Sequence, residues 1–318
     1  MSDYKSSVGR VLVSGASGDI GAGVGRILLS EGVDDIYGCD IDTDSWGACI
    51  FKTLEEVPRA DSDKYLEAIK ALINKYDIDV FIPSSEAEIG KISALGGDVE
   101  AKLDCLVLMA DITTVCTSLN KLSTANFLQE NNIDSPWTRD SKIEMPLALP
   151  CIFKPISGQG SKGLEVVADV ARAETLFGTE GYIFQELLEP ENQEYTCGVY
   201  RYKSGLIRTI IIRRQMDGGF TSKGVVIDDK KIERYLNSIA ESLNVNGAIN
   251  MQLRLTDRGP VLFEINPRFS STVVFRHKLG FRDLLWSLEE KLKLPLSAYV
   301  KPIAGITFYR GLSEYFKK

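Results

Sequence analysis

The sequence predicts an α/β fold that opens on a parallel, doubly wound sheet. Three observations carry this. The segment RVLVSGASGDIGAGVGRILLSEG (Arg10–Gly32) passes from a short apolar strand through a glycine turn into a helix. Short apolar runs then alternate with stretches of helical periodicity as far as Ala110, the pattern of a parallel sheet covered by helices. The 318 residues leave room for a further unit of similar or larger size.

The elements follow in order. DIYGCDID (Asp35–Asp42) holds the second strand and delivers Asp40. SDKYLEAIKALINKY (Ser62–Tyr76) places Leu66, Ile69, Leu72 and Ile73 at helical spacing. DVFIPSS (Asp79–Ser85) is a third strand closed by Pro83, EAEIGKISAL (Glu86–Leu95) a helix, and CLVLMA (Cys105–Ala110) a fourth strand.

The glycine turn admits two readings. Gly15, Gly18 and Gly21 stand at the mouth of a helix, where a bare backbone can approach a phosphate. Asp40 stands about where an acid would meet a ribose. The other reading is close packing of the strand on the helix. Dehydrogenases of the short-chain type add a Tyr-x-x-x-Lys pair, and none of the 12 tyrosines has a lysine at that spacing.

Composition narrows the function. The net charge is −7 with no long basic tract, which argues against a nucleic-acid partner. No apolar run has the length of a membrane span, and the polar N-terminus MSDYKSSVGR lacks the core of a secretory signal, so a cytoplasmic protein without a membrane partner is expected. Cys39, Cys49, Cys105, Cys116, Cys151 and Cys197 form no CxxC pair, and buried free thiols are expected for most. The single histidine, His277, makes a histidine-based zinc site or a Ser-His-Asp triad a poor fit.

The chemistry lies in the second half. SLNKLSTANFLQENNIDSPWT (Ser118–Thr138) predicts a helix capped by Asn120 or Ser118, with Lys121 in its first turn. A lysine there is unfavourable unless an anion docks nearby. CIFKPISGQGSKGLEVV (Cys151–Val167) sets Lys154 inside an apolar strand, then a loop with Ser157, Gly158, Gly160, Ser161 and Gly163. Its N–H groups suit phosphates, although a plain hairpin remains open. YIFQELLEPENQEYTCGVY (Tyr182–Tyr200) contains a connector and then a strand. The connector can border an adenine, and Glu194 can accept from ribose hydroxyls; a charged linker is the alternative.

GAINMQLRLTDRGPVLFEINPRFSSTVVF (Gly247–Phe275) is two strands joined by TDRG. Alternation puts Glu264, Asn266 and Arg268 on one face. The oxygens of Gln252, Glu264 and Asn266 suit Mg²⁺, and Arg268 beyond them suits a developing negative charge. A buried salt bridge at a strand end is the alternative. In SSTVVFRHKLG (Ser270–Gly280), Arg276, His277 and Lys278 either bind a substrate carboxylate or line a surface helix.

Taken in order, NKLSTANFL, FKP, SGQGSKG, QELLEPENQEYT, NMQLRL and FEINPR resemble the ATP-grasp superfamily, in particular the synthetase units of the carbamoyl phosphate synthase large subunit and related carboxylate–amine ligases. The resemblance implies a Rossmann-like N-terminal domain (1–117), a small ATP-grasp lobe (118–190) and a C-terminal α+β lobe with the metal site (191–318). It implies ATP and Mg²⁺ or Mn²⁺ as cofactors. Lys121 and Lys154 would contact phosphates under a loop formed by Ser157, Gly158, Gly160, Ser161 and Gly163. Glu186 and Leu188 would border the adenine and Glu194 the ribose. Gln252, Glu264 and Asn266 would hold metal, with Lys154 and Arg268 acting in the chemistry. The connector EPENQ is longer than the family's short turn, and the chain carries one unit and no glutaminase domain. The implied function is an ATP-dependent ligase that joins a small-molecule carboxylate to an amine through an acyl phosphate, with a homodimer admitted. The alternatives are a regulatory nucleotide-binding protein, a small-molecule kinase and an NAD(P) oxidoreductase.

Overall fold

A computed structural model describes residues 7–158, 163–311 and 313–316. The first sheet is built from β1 (Val11–Ser14), β2 (Ile36–Asp40), β3 (Leu54–Glu56), β4 (Val80–Ile82) and β5 (Leu106–Val107). Their order is β3-β2-β1-β4-β5, and every pairing is parallel, as expected. The intervening helices are α1 (Asp19–Ser30), α2 (Tyr65–Tyr76), α3 (Glu86–Ser93) and α4 (Val99–Leu103). β3 lies outside the predicted set: LEE has no apolar alternation to mark it. β4 stops at Ile82 rather than Ser85 because Pro83 has no N–H to continue a ladder.

After α5 (Ile112–Leu119) and α6 (Lys121–Glu130) comes a small antiparallel sheet. It contains β6 (Thr138–Asp140), β7 (Cys151–Pro155), β8 (Glu165–Val167) and, after α7 (Val170–Leu176), β9 (Tyr182–Glu186), in the order β6-β9-β7-β8. The largest sheet is also antiparallel. Its strands are β10 (Glu194–Arg201), β11 (Ile207–Asp217), β12 (Phe220–Ile227), β13 (Gly247–Thr256), β14 (Gly259–Asn266) and β15 (Thr307–Tyr309), in the order β14-β13-β10-β11-β12-β15. α8 (Lys230–Ser242), α9 (Val273–Lys278) and α10 (Asp283–Lys291) complete the chain. Among the described residues no helix is long and apolar enough to cross a membrane.

The large sheet has two unlike faces, and the two-residue period of its strands decides which side chains each carries. Tyr195, Cys197, Val199, Met251, Leu253 and Ile265 point to one side and pack with Ile232, Leu236, Ile239 and Ala240 of α8. Those four recur at helical spacing, and Asp229 caps the helix by accepting from the N–H groups of Lys231 and Ile232. Each fully buried leucine or isoleucine here contributes about 1.5–3 kcal/mol. The other face carries Glu194, Thr196, Asn250, Gln252, Glu264 and Asn266.

The glycine turn is closed by its own chain. Ser17 N donates to Asp40 Oδ2 at 2.8 Å, and Gly18 N to Gly15 O at 3.0 Å. Asp19, in the first turn of α1, pairs with Arg310 at 2.7 Å. The carboxylate expected at a ribose instead braces the turn. A Cβ on Gly21 would lie 2.3 Å from Gly15 O, so close packing explains that glycine. α1 also packs on α9: a Cβ on Gly23 would meet Val273 at 3.1 Å. Val24 and Ile27 thus share a core with Val273, Phe281 and Trp286. This docking brings the β4–α3 corner to the end of β14. Of the cysteines, Cys39, Cys151 and Cys197 are buried, Cys105 is half-buried, and Cys49 and Cys116 are exposed, fewer buried than expected.

Two substitutions test the packing account. Gly18 has φ −83°, open to any residue, and a Cβ there would stand 3.2 Å from Gly15 O. Gly18→Ala should cost less than about 1 kcal/mol. Gly21→Ala must displace backbone and should cost about 1–3 kcal/mol, outweighing the helix propensity that alanine adds. Urea unfolding of both variants checks the order; equal midpoints would contradict it.

Candidate functional site

The site forms where α6 and β7 face the polar side of the large sheet. α6 begins as predicted: Asn120 Oδ1 accepts from Leu122 N and Ser123 N, both at 2.9 Å. The cap itself therefore occupies the helix end where an anion was envisaged. Lys121 projects across the site. Its Nζ lies 3.4 Å from Glu264 Oε1 and donates to Gly158 O at 3.0 Å.

Lys154 is 8% exposed in β7. Its Nζ sits 5.8 Å from the centre of the Phe263 ring, and among the described residues no carboxylate stands within ion-pair distance. Burial pushes its pKa down to about 8; Glu264 opposes the shift and Lys121 adds to it. An ammonium so placed is short of negative charge.

Arg268, just beyond β14, lies 3.1 Å from Glu86 Oε1, at an angle outside hydrogen-bond geometry. Burial pushes the Glu86 carboxyl up, Arg268 opposes this and Glu264 reinforces it. Glu86 was read only as a helix residue. Its neighbour Glu88 forms a capping box with Ser85, which accounts for one acid at the start of α3 but not both. That surplus was the available signal.

The structure thus brings Lys121, Lys154, Glu264 and Arg268 together and adds Glu86. Ser157 and Gly158 are exposed at the edge of the site, and Gly158 has φ +113°, which favours glycine. Gly163 follows at φ +74°. Gly160 and Ser161 lie outside the described residues.

Along the sheet floor the expected ligands already have protein partners. Glu194 is half-buried between two arginines: Oε1 accepts from Arg214 at 2.6 Å and Oε2 from Arg254 at 2.7 Å. Burial works against its charge, but the arginines outweigh it and hold its carboxyl below the ordinary value. Gln252 Oε1 accepts from Arg214 at 2.8 Å. Asn266 Oδ1 accepts from Asn250 Nδ2 at 3.0 Å and from Gln252 Nε2 at 3.1 Å. Glu186 turns to Arg258 at 2.9 Å, and the carbonyl of Leu188 accepts from Arg254.

Arg276 corrects the surface-helix and substrate-carboxylate alternatives alike. It is fully buried, donates to Asn250 Oδ1 and lies 3.9 Å from Asp283. The short helix α9 turns it inward, under the sheet. His277 Nε2 lies 3.1 Å from Glu31 Oε1, at the C-terminal end of α1, and Lys278 is exposed.

Comparison with known proteins gives two findings. Residues 180–308 match a family model described as ATP-grasp in the biosynthetic pathway with Ter operon. Solved structures align over most of the chain. N5-carboxyaminoimidazole synthetase from Staphylococcus aureus, complexed with ADP, matches with a TM-score of 0.72 at 14% identity, covering 92% of this chain and 80% of that one. The chain has the ATP-grasp fold. L-amino acid ligase from Bacillus licheniformis aligns with a TM-score of 0.69 at 15% identity over 89% of this chain and 74% of its own. The biotin carboxylase βγ-ATP complex from Campylobacter jejuni gives 0.70 at 13% over 91% and 72%. In this fold the glycine turn belongs to the parallel-sheet unit and the lysines to α6 and β7, facing the large sheet.

The buried ammonium has a measurable consequence. Between pH about 8 and the ordinary lysine value of 10.5, the unfolded chain holds a proton at Lys154 that the folded chain releases. Stability contributed by this group therefore rises with pH across that window. Lys154→Met should flatten the rise, measured as urea midpoints of both proteins at pH 8 and pH 10. An identical rise in the variant would show that Lys154 is not the group responsible.

Proposed function

We propose that the protein is an ATP-dependent ligase that joins a small-molecule carboxylate to an amine through an acyl phosphate. One observation carries this: Lys121 of α6 pairs with Glu264, Lys154 of β7 is buried near the same carboxylate with no ion pair of its own among the described residues, and Arg268 pairs with Glu86 at the end of β14. An undercompensated ammonium in such a site suits the passage of a phosphoryl group, where catalysis is mostly positioning and charge neutralisation. It also makes no demand for a side-chain nucleophile.

In this reading Lys121 and Lys154 bind phosphate oxygens, and Lys121 exchanges its bond to Gly158 for one to the nucleotide. The loop with Ser157, Gly158, Gly160, Ser161 and Gly163 covers them. Leu188 and Glu186 border the adenine through backbone. Glu194 stands nearest the ribose with its arginines in place. Arg268, oriented by Glu86, faces the oxyanion of the acyl phosphate and of the tetrahedral state that follows.

The donor set fits a divalent cation through Glu264. Mg²⁺ typically takes one or two carboxylates and completes its shell with water and phosphate oxygens, and Mn²⁺ accepts the same oxygens. Bound there, the ion would neutralise phosphate charge. The domain limits implied by the resemblance, a homodimer and a cytoplasmic location belong to the same proposal; six free thiols suit a reducing compartment.

The test is a screen of carboxylate–amine pairs for ADP release that requires both partners. Glu264→Gln keeps the shape of the side chain and removes its charge. It should abolish ADP release while the melting temperature stays within a few degrees. Unchanged release in a folded variant would overturn the role of Glu264, and ADP release without an amine would point to a kinase instead.

A further inference from the structure

The polar floor of the cleft carries a hydrogen-bond polarity that two arginines set. Arginine only donates, so the atom of a neighbouring amide that faces it must be oxygen. Arg276 faces Asn250, and Thr196 Oγ also donates to the same Asn250 Oδ1 at 2.8 Å. The Asn250 amide nitrogen is thereby turned toward Asn266, whose facing atom must be its oxygen. From the other side Arg214, itself held by Glu194, takes Gln252 Oε1, which turns the Gln252 nitrogen onto the same Asn266 oxygen. The two chains of donors meet head-on at Asn266 Oδ1. This follows from donor counting and holds whichever way an amide is first drawn.

We propose that Asn266 serves the nucleotide as a hydrogen-bond donor, through Nδ2 to a phosphate oxygen, and is not an oxygen ligand of the metal. The proposal rests on the ATP reading above. Asn250, Asn266 and Thr196 are each 1% exposed and Arg276 is fully buried, so water cannot relax the arm that runs through Asn250; Gln252 and Arg214 are half-buried. Both lone pairs of Asn266 Oδ1 are engaged, and a cation approaching it would meet the positive ends of two amide dipoles. What the side chain still offers is its NH₂ group, for which no partner exists among the described residues. Glu264, two residues earlier on the same face, stays as the carboxylate for a metal, while the Gln252 oxygen faces the Arg214 guanidinium, whose positive charge disfavours a cation there. Arg276 is then a positioning residue, acting on the site through Asn250.

The test uses intact protein labelled with ¹⁵N-asparagine. The Asn266 NH₂ pair is identified by its absence in Asn266→Asp, which still accepts from Asn250 and Gln252. Adding ADP in EDTA should shift the wild-type pair and slow its exchange with water, and later Mg²⁺ should change it little. Calorimetry gives a second measure. Asn266→Ala should weaken ADP binding in EDTA by about tenfold or more, as for a lost hydrogen bond to a charged group. Mn²⁺ affinity of its ADP complex, read by electron paramagnetic resonance, should stay within about twofold of wild type on the same ground. A pair that stays in place in EDTA and moves only with Mg²⁺ overturns the proposal, as does an Asn266→Ala variant that loses Mn²⁺ affinity but keeps metal-free ADP affinity. Failure of wild-type protein to bind ADP in either buffer overturns the nucleotide reading beneath it.

Discussion

Charge held on a dry sheet face is the constraint around which this molecule is arranged. One side of the six-stranded sheet is apolar and locked to α8; the other holds Glu194, Arg214 and Arg254 half-buried, with Arg276 fully buried beneath. Removing such groups from solvent costs several kcal/mol each unless partners replace the water. Arg214 and Arg254 on Glu194, Asn250 under Arg276 and Asp283 beside it supply those partners. Lys154 is the exception, with no carboxylate in ion-pair range among the described residues. The contrast separates the scaffold from the point where a ligand is expected.

The parallel-sheet unit serves this floor from outside. Two N–H groups of its glycine turn go to Asp40 and Gly15, and Gly21 lets α1 lie tightly against the end of β1. α1 in turn seats α9, which carries Arg276 into the sheet, and the β4–α3 corner presents Glu86 to Arg268. The C-terminal stretch returns to the same unit through Arg310 on Asp19 and Tyr315 against Trp46. The first unit thus acts on the cleft by placing two charges, Glu86 directly and Arg276 through α9.

The fold was legible wherever periodicity was strong. RVLVSG, SDKYLEAIKALINKY and the two strands around TDRG announce themselves by spacing and punctuation, and each forms near its expected bounds. β3 was hidden because three residues, two of them acidic, carry no pattern. Part of the site was legible as well. A lysine in CIFKP and a carboxylate in VLFEIN are expensive in apolar strands, and that expense points to a ligand. Glu86 was not legible as a site residue, since an acid at a helix start has an ordinary explanation, and Arg276 was singled out for a substrate carboxylate or a surface helix, whereas its buried place beneath Asn250 was not legible.

The sequence by itself determined the element types, the alternation that makes one sheet face polar, and the ordered motifs that carry the ATP-grasp likeness. These are local properties, set by side-chain period, by turn chemistry and by residue type. Tertiary structure alone decided which polar groups are already satisfied. Asp40 went to a turn, Glu194 to two arginines and the oxygens of Gln252 and Asn266 to neighbouring donors, while Lys154 was left without a carboxylate partner. Hydrogen-bond partners come from strands far apart in the chain, so their direction is settled only when the sheet is assembled and water has been excluded.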